Sequence, residues 1–179
     1  MNKTNKYNPG KHHRKSIRLR GYDYSQPGLY FVTICCQNRH HLFGKIEKGI
    51  MILNDAGQIA NNCWLEIPKH FPNVILHSYV IMPNHVHGII ELIETNTSNV
   101  WAKIFSPIRP NGTSKTVGSI IRGFKIGVTK WMRKNTNTYN VWQRNYYEHI
   151  IRNDKSYQTI TEYIMNNPIN WEKDKFFTG

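Results

Sequence analysis

Two β-branched, apolar runs, 74–82 and 85–93, are separated only by Pro83 and Asn84. Proline donates nothing to a ladder, so it marks a turn or the start of a strand. Two strands joined this tightly pair as an antiparallel hairpin, and an antiparallel sheet is the first thing this chain must build around. The second run opens His85-Val86-His87. Successive side chains of a strand alternate faces, so His85 and His87 project together and Val86 points away. Neutral imidazole is a common metal ligand, and two held on one strand make a preorganised half-site. Two polar positions on the wet face of a strand would look the same, so the triplet needs support from elsewhere in the chain.

The 179 residues suit one domain with its own hydrophobic core. Twenty-four Lys and Arg stand against eleven Asp and Glu, a net charge of +13. So basic a chain points to a polyanionic partner, nucleic acid before membrane. No apolar run approaches a bilayer span and no signal peptide opens the chain, so a cytoplasmic protein is expected. Cys35, Cys36 and Cys63 lack the spacing of a disulfide scaffold and read as reduced thiols.

Residues 1–20 carry seven Lys and Arg and no acidic residue. They form a basic arm, either a solubilising tail or a strap that orders on phosphates, with the strap favoured near Arg18 and Arg20. The remainder, 21–179, reads as one domain. The run 29–36 is aromatic and β-branched, a strand. A hairpin is expected within 43–52. Asn54 or Asp55 starts a helix of about three turns, with Ile59, Cys63, Trp64 and Ile67 at helical spacing before Pro68 ends it. Residues at about 94–114 are rich in Asn, Thr, Ser, Pro and Gly without period, an exposed loop.

The spacing predicts a helix over 117–134, with Ile121, Phe124, Val128, Trp131 and Met132 facing the core. Arg122, Lys125, Thr129 and Arg133 lie beside that face without acidic partners at helical spacing, which favours phosphate contact. A last strand lies within 141–151, and Asn153 or Asp154 caps a final helix that Pro168 stops. Strand, helix, hairpin, helix, strand, helix is the order of an α+β, split βαβ sandwich. On the final helix Tyr163 and Asn167 are four apart and share one face. If that face looks at the histidines, Asn167 offers a carbonyl oxygen as a third ligand and Tyr163 a phenol beside the ion. Otherwise Tyr163 packs the helix and Asn167 caps it before proline.

Four motifs occur in order: Met82-Pro83-Asn84-His85-Val86-His87, then 118–125 (GSIIRGFK), 142–152 (WQRNYYEHIIR) and Tyr163-Ile164-Met165-Asn166-Asn167-Pro168. Together with 18–25 (RLRGYDYS), they resemble the REP-associated tyrosine transposases, which belong to the single-tyrosine HUH transposases acting on single-stranded DNA. The resemblance runs from about residue 14 to 177. It implies a ferredoxin-like, RRM-like HUH fold. His85 and His87 would bind a divalent metal, Mg²⁺ or Mn²⁺, with Asn167 where the family places a polar third ligand. Tyr163 falls at the nucleophile, whereas Tyr146 and Tyr147 belong to a strand motif as packing or DNA-contacting residues.

These groups suit strand transfer. A metal on neutral N and O ligands polarises a phosphate oxygen with its full charge. A phenol, with a pKa of about 10, is far easier to activate than water. Attack by Tyr163 would release a 3′-hydroxyl and keep the 5′-phosphate as a phosphotyrosine ester, which a second 3′-hydroxyl can reverse without ATP. The expected function is therefore metal-dependent nicking and rejoining of single-stranded, hairpin-forming repeat DNA. One tyrosine per chain fits either a homodimer cutting two ends or a monomer cutting sequentially. Arg18, Arg20, Arg122, Lys125, Arg133, Arg144 and Arg152 are the expected phosphate contacts, and Trp101, Trp131, Trp142 and Tyr146 candidates for stacking bases. Two other readings stay open: a DNA-binding module on the same fold without chemistry, and a metal-dependent nuclease using water, with His149 as a spare acid or base.

Overall fold

In the computed structural model, residues 22–94 and 115–177 are described. The basic arm with Arg18 and Arg20, the loop expected at about 94–114 apart from Glu94, and Trp101 lie outside them. A four-stranded antiparallel sheet is built from β1 (Gly28–Cys35), β4 (Val74–Ile81), β5 (His85–Leu92) and β6 (Tyr147–Ile151), in the spatial order β4-β5-β1-β6. Counted along the chain, this is the second, third, first and fourth strand side by side, the order of a split βαβ sandwich. The hairpin β2 (Gly44–Glu47) and β3 (Ile50–Leu53) stands apart as a small second sheet, turning through Lys48 and Gly49, both at positive φ.

Helix α1 (Asp55–Leu65) starts where Asn54 accepts a hydrogen bond from the Gly57 amide, a side-chain N-cap. Pro68 does not end helical structure there. It sits in the first turn of a second short helix, α2 (Ile67–His70), where a missing amide hydrogen costs nothing. The long helix α3 (Val117–Asn135) begins at a Thr116 cap, and α4 (Asp154–Asn166) at Asn153, whose side chain accepts from the Ser156 amide.

The alternation of each strand divides the core in two. Tyr30, Val32 and Ile34 of β1, with Val86, Ile90 and Leu92 of β5, face α1 and α3 and bury Trp64, Ile120, Ile121, Phe124, Val128 and Met132. Gly88 of β5 is needed in this layer, since a Cβ there would lie 2.3 Å from Trp64. Residues one step along each strand face α4: Phe31, Ile89 and Ile151 meet Ile164 in a smaller cluster. His85 and His87 belong to this second face. Trp131, Trp142 and Tyr146, the candidates for stacking bases, are partly buried and pack against the larger core. No helix among the described residues is long and apolar enough to cross a membrane, and Cys35, Cys36 and Cys63 are free thiols.

Candidate active site

His85 and His87 stand on an interior strand and are sealed from solvent, at 0% and 1% exposure. Strand register supplies the partner of one: Thr33 of β1 lies directly opposite His87, and its hydroxyl meets His87 Nδ1 at 2.8 Å. His85 is fixed by its own neighbour. Asn84 Nδ2 donates to the carbonyls of Phe176 and Arg39, so its Oδ1 must accept, and His85 Nδ1 donates to it at 2.8 Å. That assigns the proton to Nδ1 and leaves the Nε2 lone pair of His85 directed into the site.

The final helix brings up the other half. Tyr163 Oη lies 3.1 Å from His87 Nε2 and 3.1 Å from Asp174 Oδ2, to which it donates. Asn167, 2% exposed at the C-cap of α4, donates from Nδ2 to the same carboxylate oxygen at 2.6 Å. Because a carboxylate only accepts, the phenolic proton goes to Asp174. The phenolic oxygen is then free to receive His87 Nε2–H, with the Thr33 hydroxyl donating to Nδ1. The Thr33 hydroxyl rotates, so it serves either tautomer.

Asp174 and Phe176, which the sequence reading did not single out, complete the site. After Pro168 the chain makes a 3₁₀ turn over Trp171–Lys173 and lays the Phe176 ring over both imidazoles, at 4.7 Å from His85 and 5.8 Å from His87 between ring centres. Hydrogen bonds from Asn84 to the Phe176 carbonyl and from Arg39 to the Lys175 carbonyl hold the segment down. An aspartate at the expected end of the domain has no periodic signal. Only its position seven residues past Asn167, one turn of chain beyond a proline stop, hints that it folds back.

The electrostatics suit a metal. Burial pushes the His85 pKa down to about 4, against the upward pull of Asp174 and of the Asn167 side chain beside it. His87 is likewise held well below its usual range, chiefly by burial and then by His85. Both rings are thus neutral, the ligand form, at physiological pH. Burial, followed by the Asp174 carboxylate, raises the Tyr163 pKa. Ligand atoms of His85, His87 and Asp174 all lie within 4.8 Å of one another. His85 Nε2 and Asn167 Oδ1 are both buried with no hydrogen-bond partner, costly for polar atoms unless something else satisfies them. Two imidazole nitrogens with amide and carboxylate oxygens fit a hard or borderline divalent cation.

Of the other expected site residues, the structure gathers few here. Arg122, Lys125 and Arg133 ride on α3, which covers the opposite face of the sheet. Lys125 is half-buried and its ammonium is committed to the carbonyls of Gln143 and Asn145, with burial pulling its pKa down to about 8. Arg144 and Arg152 are exposed on either side of β6.

No family model matches the chain. It is 54% identical over 177 residues to an uncharacterized protein of Haemophilus influenzae (strain ATCC 51907 / DSM 11121 / KW20 / Rd), covering 97% of this chain and 98% of that one. It is 25% identical over 148 residues to a REP-associated tyrosine transposase of Escherichia coli (strain K12), covering 82% of this chain and 69% of that one. Among solved structures, a REP-associated tyrosine transposase bound to a REP hairpin shares the fold with a TM-score of 0.60 at 24% identity, over 88% of this chain and 76% of that one. The resemblance first drawn from four short motifs thus extends over most of the chain: this protein is similar to the REP-associated tyrosine transposases, weakly in sequence and clearly in fold.

Proposed function

We propose that this protein cuts and rejoins single-stranded DNA through a 5′-phosphotyrosine intermediate on Tyr163, acting on hairpin-forming repeats. The observation that carries the reading is the meeting of the Tyr163 phenol with the buried imidazole pair, 3.1 Å from His87 Nε2. The structural relative is bound to a REP hairpin, which supports the choice of substrate. So does the net charge of +13.

His85, His87, Asn167 and Asp174 would hold a divalent ion, Mg²⁺ or Mn²⁺, which would supply positive charge to polarise a phosphate oxygen. The chain's own groups do the rest. Asn84 and Thr33 orient the two imidazoles from behind, as partners beyond the ligands commonly do. With its pKa raised, Tyr163 keeps its proton until attack, and the Asp174 carboxylate already bonded to it at 3.1 Å is the acceptor in place. The Tyr163 oxygen bonds to phosphorus as its proton passes to Asp174, the bond to the 3′ oxygen breaks, and that oxygen takes a proton from solvent and leaves as a hydroxyl. Attack by a second 3′-hydroxyl on the tyrosyl ester reverses each transfer and restores the phenol.

Purified protein with Mn²⁺ and a hairpin-bearing single strand forms an SDS-resistant protein–DNA adduct, lost in Tyr163→Phe and strongly reduced in His85→Ala and His87→Ala. An adduct in the Phe variant, or strand cleavage equal in the variant and the parent, removes Tyr163 from the chemistry. The second outcome would favour a nuclease that uses water.

A further inference from the structure

Beside the site, and sharing a wall with it, lies an open pocket of about 460 Å³ between β6 and the first turns of α4. Phe31, Tyr147 and Ile160 give it an apolar, partly aromatic lining, and His149 and Lys155 bring polar and cationic groups to it. Phe31 is the shared wall: its ring stacks on His87 at 5.4 Å and meets Tyr163 edge-on at 6.3 Å. Strand register explains the placement. His87, Thr33 and Tyr147 stand in one row across β5, β1 and β6, and Ile89, Phe31 and His149 in the next. Adjacent strands are roughly 4.8 Å apart, so the Tyr147 position is only two strand widths from the imidazole that touches the nucleophile. Lys175 bridges the gap, its ammonium over the rings of both Phe176 and Tyr147, at 4.9 and 5.8 Å.

Resting on the function proposed above, we infer that this pocket receives the unpaired nucleobase next to the phosphate that Tyr163 attacks. The volume falls in the range of roughly 300–1,000 Å³ that takes small organic ligands. A flat aromatic wall suits the face of any base, and cations suit the phosphates flanking it: Lys155 at the pocket, Arg152 in the adjoining depression along β6, and Lys175 toward the imidazoles. By strand register Tyr147 stands two strands from His87 in the same row, so the nucleotide next to a phosphate at the imidazoles is within reach of Phe31 and Tyr147. Stacking there positions the strand and fixes which phosphodiester faces the phenol. Tyr147, 41% exposed and edge-on to Phe31, is a stacking residue and takes no part in bond breaking.

The test uses the Tyr163→Phe chain in EDTA, so that neither cleavage nor metal is needed. The probe is a short oligothymidylate with one 5-iododeoxyuridine, which crosslinks to aromatic side chains under ultraviolet light. The expected crosslink maps to the peptide bearing Tyr147 and His149 or to Phe31, and is lost in a Thr159→Leu variant whose larger aliphatic side chain fills the pocket from the exposed side of α4. Binding by anisotropy falls about tenfold in Tyr147→Ala, the usual loss on removing one base stack. Crosslinks confined to other peptides, a crosslink unchanged by Thr159→Leu, or no binding of the probe would each overturn the inference. An adduct with wild-type protein alongside crosslinks elsewhere would retire the pocket alone. The expected crosslink without any adduct would retire the strand transfer and leave the pocket.

Discussion

Acidification should unfold this protein through the histidines that make its site. His85 is fully buried, and burial lowers its pKa from 6.5 to about 4. Between those values the unfolded chain binds a proton that the folded chain refuses, so the stability present above pH 6.5 is lost as pH falls toward 4. A difference of 6.5 − 4, at 1.36 kcal/mol per unit, is about 3 kcal/mol. That is a large part of the 5–15 kcal/mol typical of a domain. His87, shifted in the same direction, adds a loss of the same sign. Urea unfolding in EDTA at steps from pH 7.5 to 4.5 measures it, with His85→Gln as the reference that keeps the shape and cannot titrate. The wild type should lose about 2.5 kcal/mol more than the variant across this window, which stops short of pH 4. Parallel curves would show that the ring takes up its proton in the folded state without penalty, and the argument for a desolvated, ligand-ready imidazole would fail.

Gly88→Ala should lower stability by about 1–3 kcal/mol, read as a lower urea midpoint, because the new methyl would lie 2.3 Å from Trp64; an unchanged midpoint would mean that the indole moves freely. Thr33→Val removes the hydroxyl bonded to His87 Nδ1 and should weaken Mn²⁺ binding by about 10–100-fold in calorimetry while leaving the circular dichroism spectrum intact. Asp174→Asn should weaken Mn²⁺ binding by about tenfold or more. It should also bring the Tyr163 pKa down in a spectrophotometric titration, since the carboxylate beside the phenol raises it.

Much of the fold was legible because local rules and packing agreed. The Asn54 and Asn153 caps, the hairpin around Pro83 and Asn84, and the period of α3 all appear where those residues demand. In the site, the face shared by Tyr163 and Asn167 and that shared by His85 and His87 followed from the 3.6 and 2.0 residue periods. What stayed hidden depends on pairing between distant segments. Thr33 meets His87 only through the β1–β5 register, which no local pattern specifies. Asp174 returns to the site through a non-repeating turn. The basic face of α3 suggested phosphate contact. Which side of the sheet that helix covers is set by the full topology, and it lies across the sheet from the imidazoles. Lys125 shows the limit most plainly, since a lysine on an amphipathic helix reads as solvated until its ammonium is found on two backbone carbonyls.

The two halves of the site are anchored with unequal strength. The imidazoles are embedded in an interior strand backed by the large core, whereas α4 buries only Ile164, against six residues for α3. Sub-global opening begins where the fewest apolar contacts must be broken. Amide hydrogens of α4 should therefore exchange with deuterium well before those of β5, as a separate cooperative unit. Each such excursion would swing the tyrosine away while the histidine pair remains assembled, so this arrangement can come apart and re-form without the sheet ever unravelling.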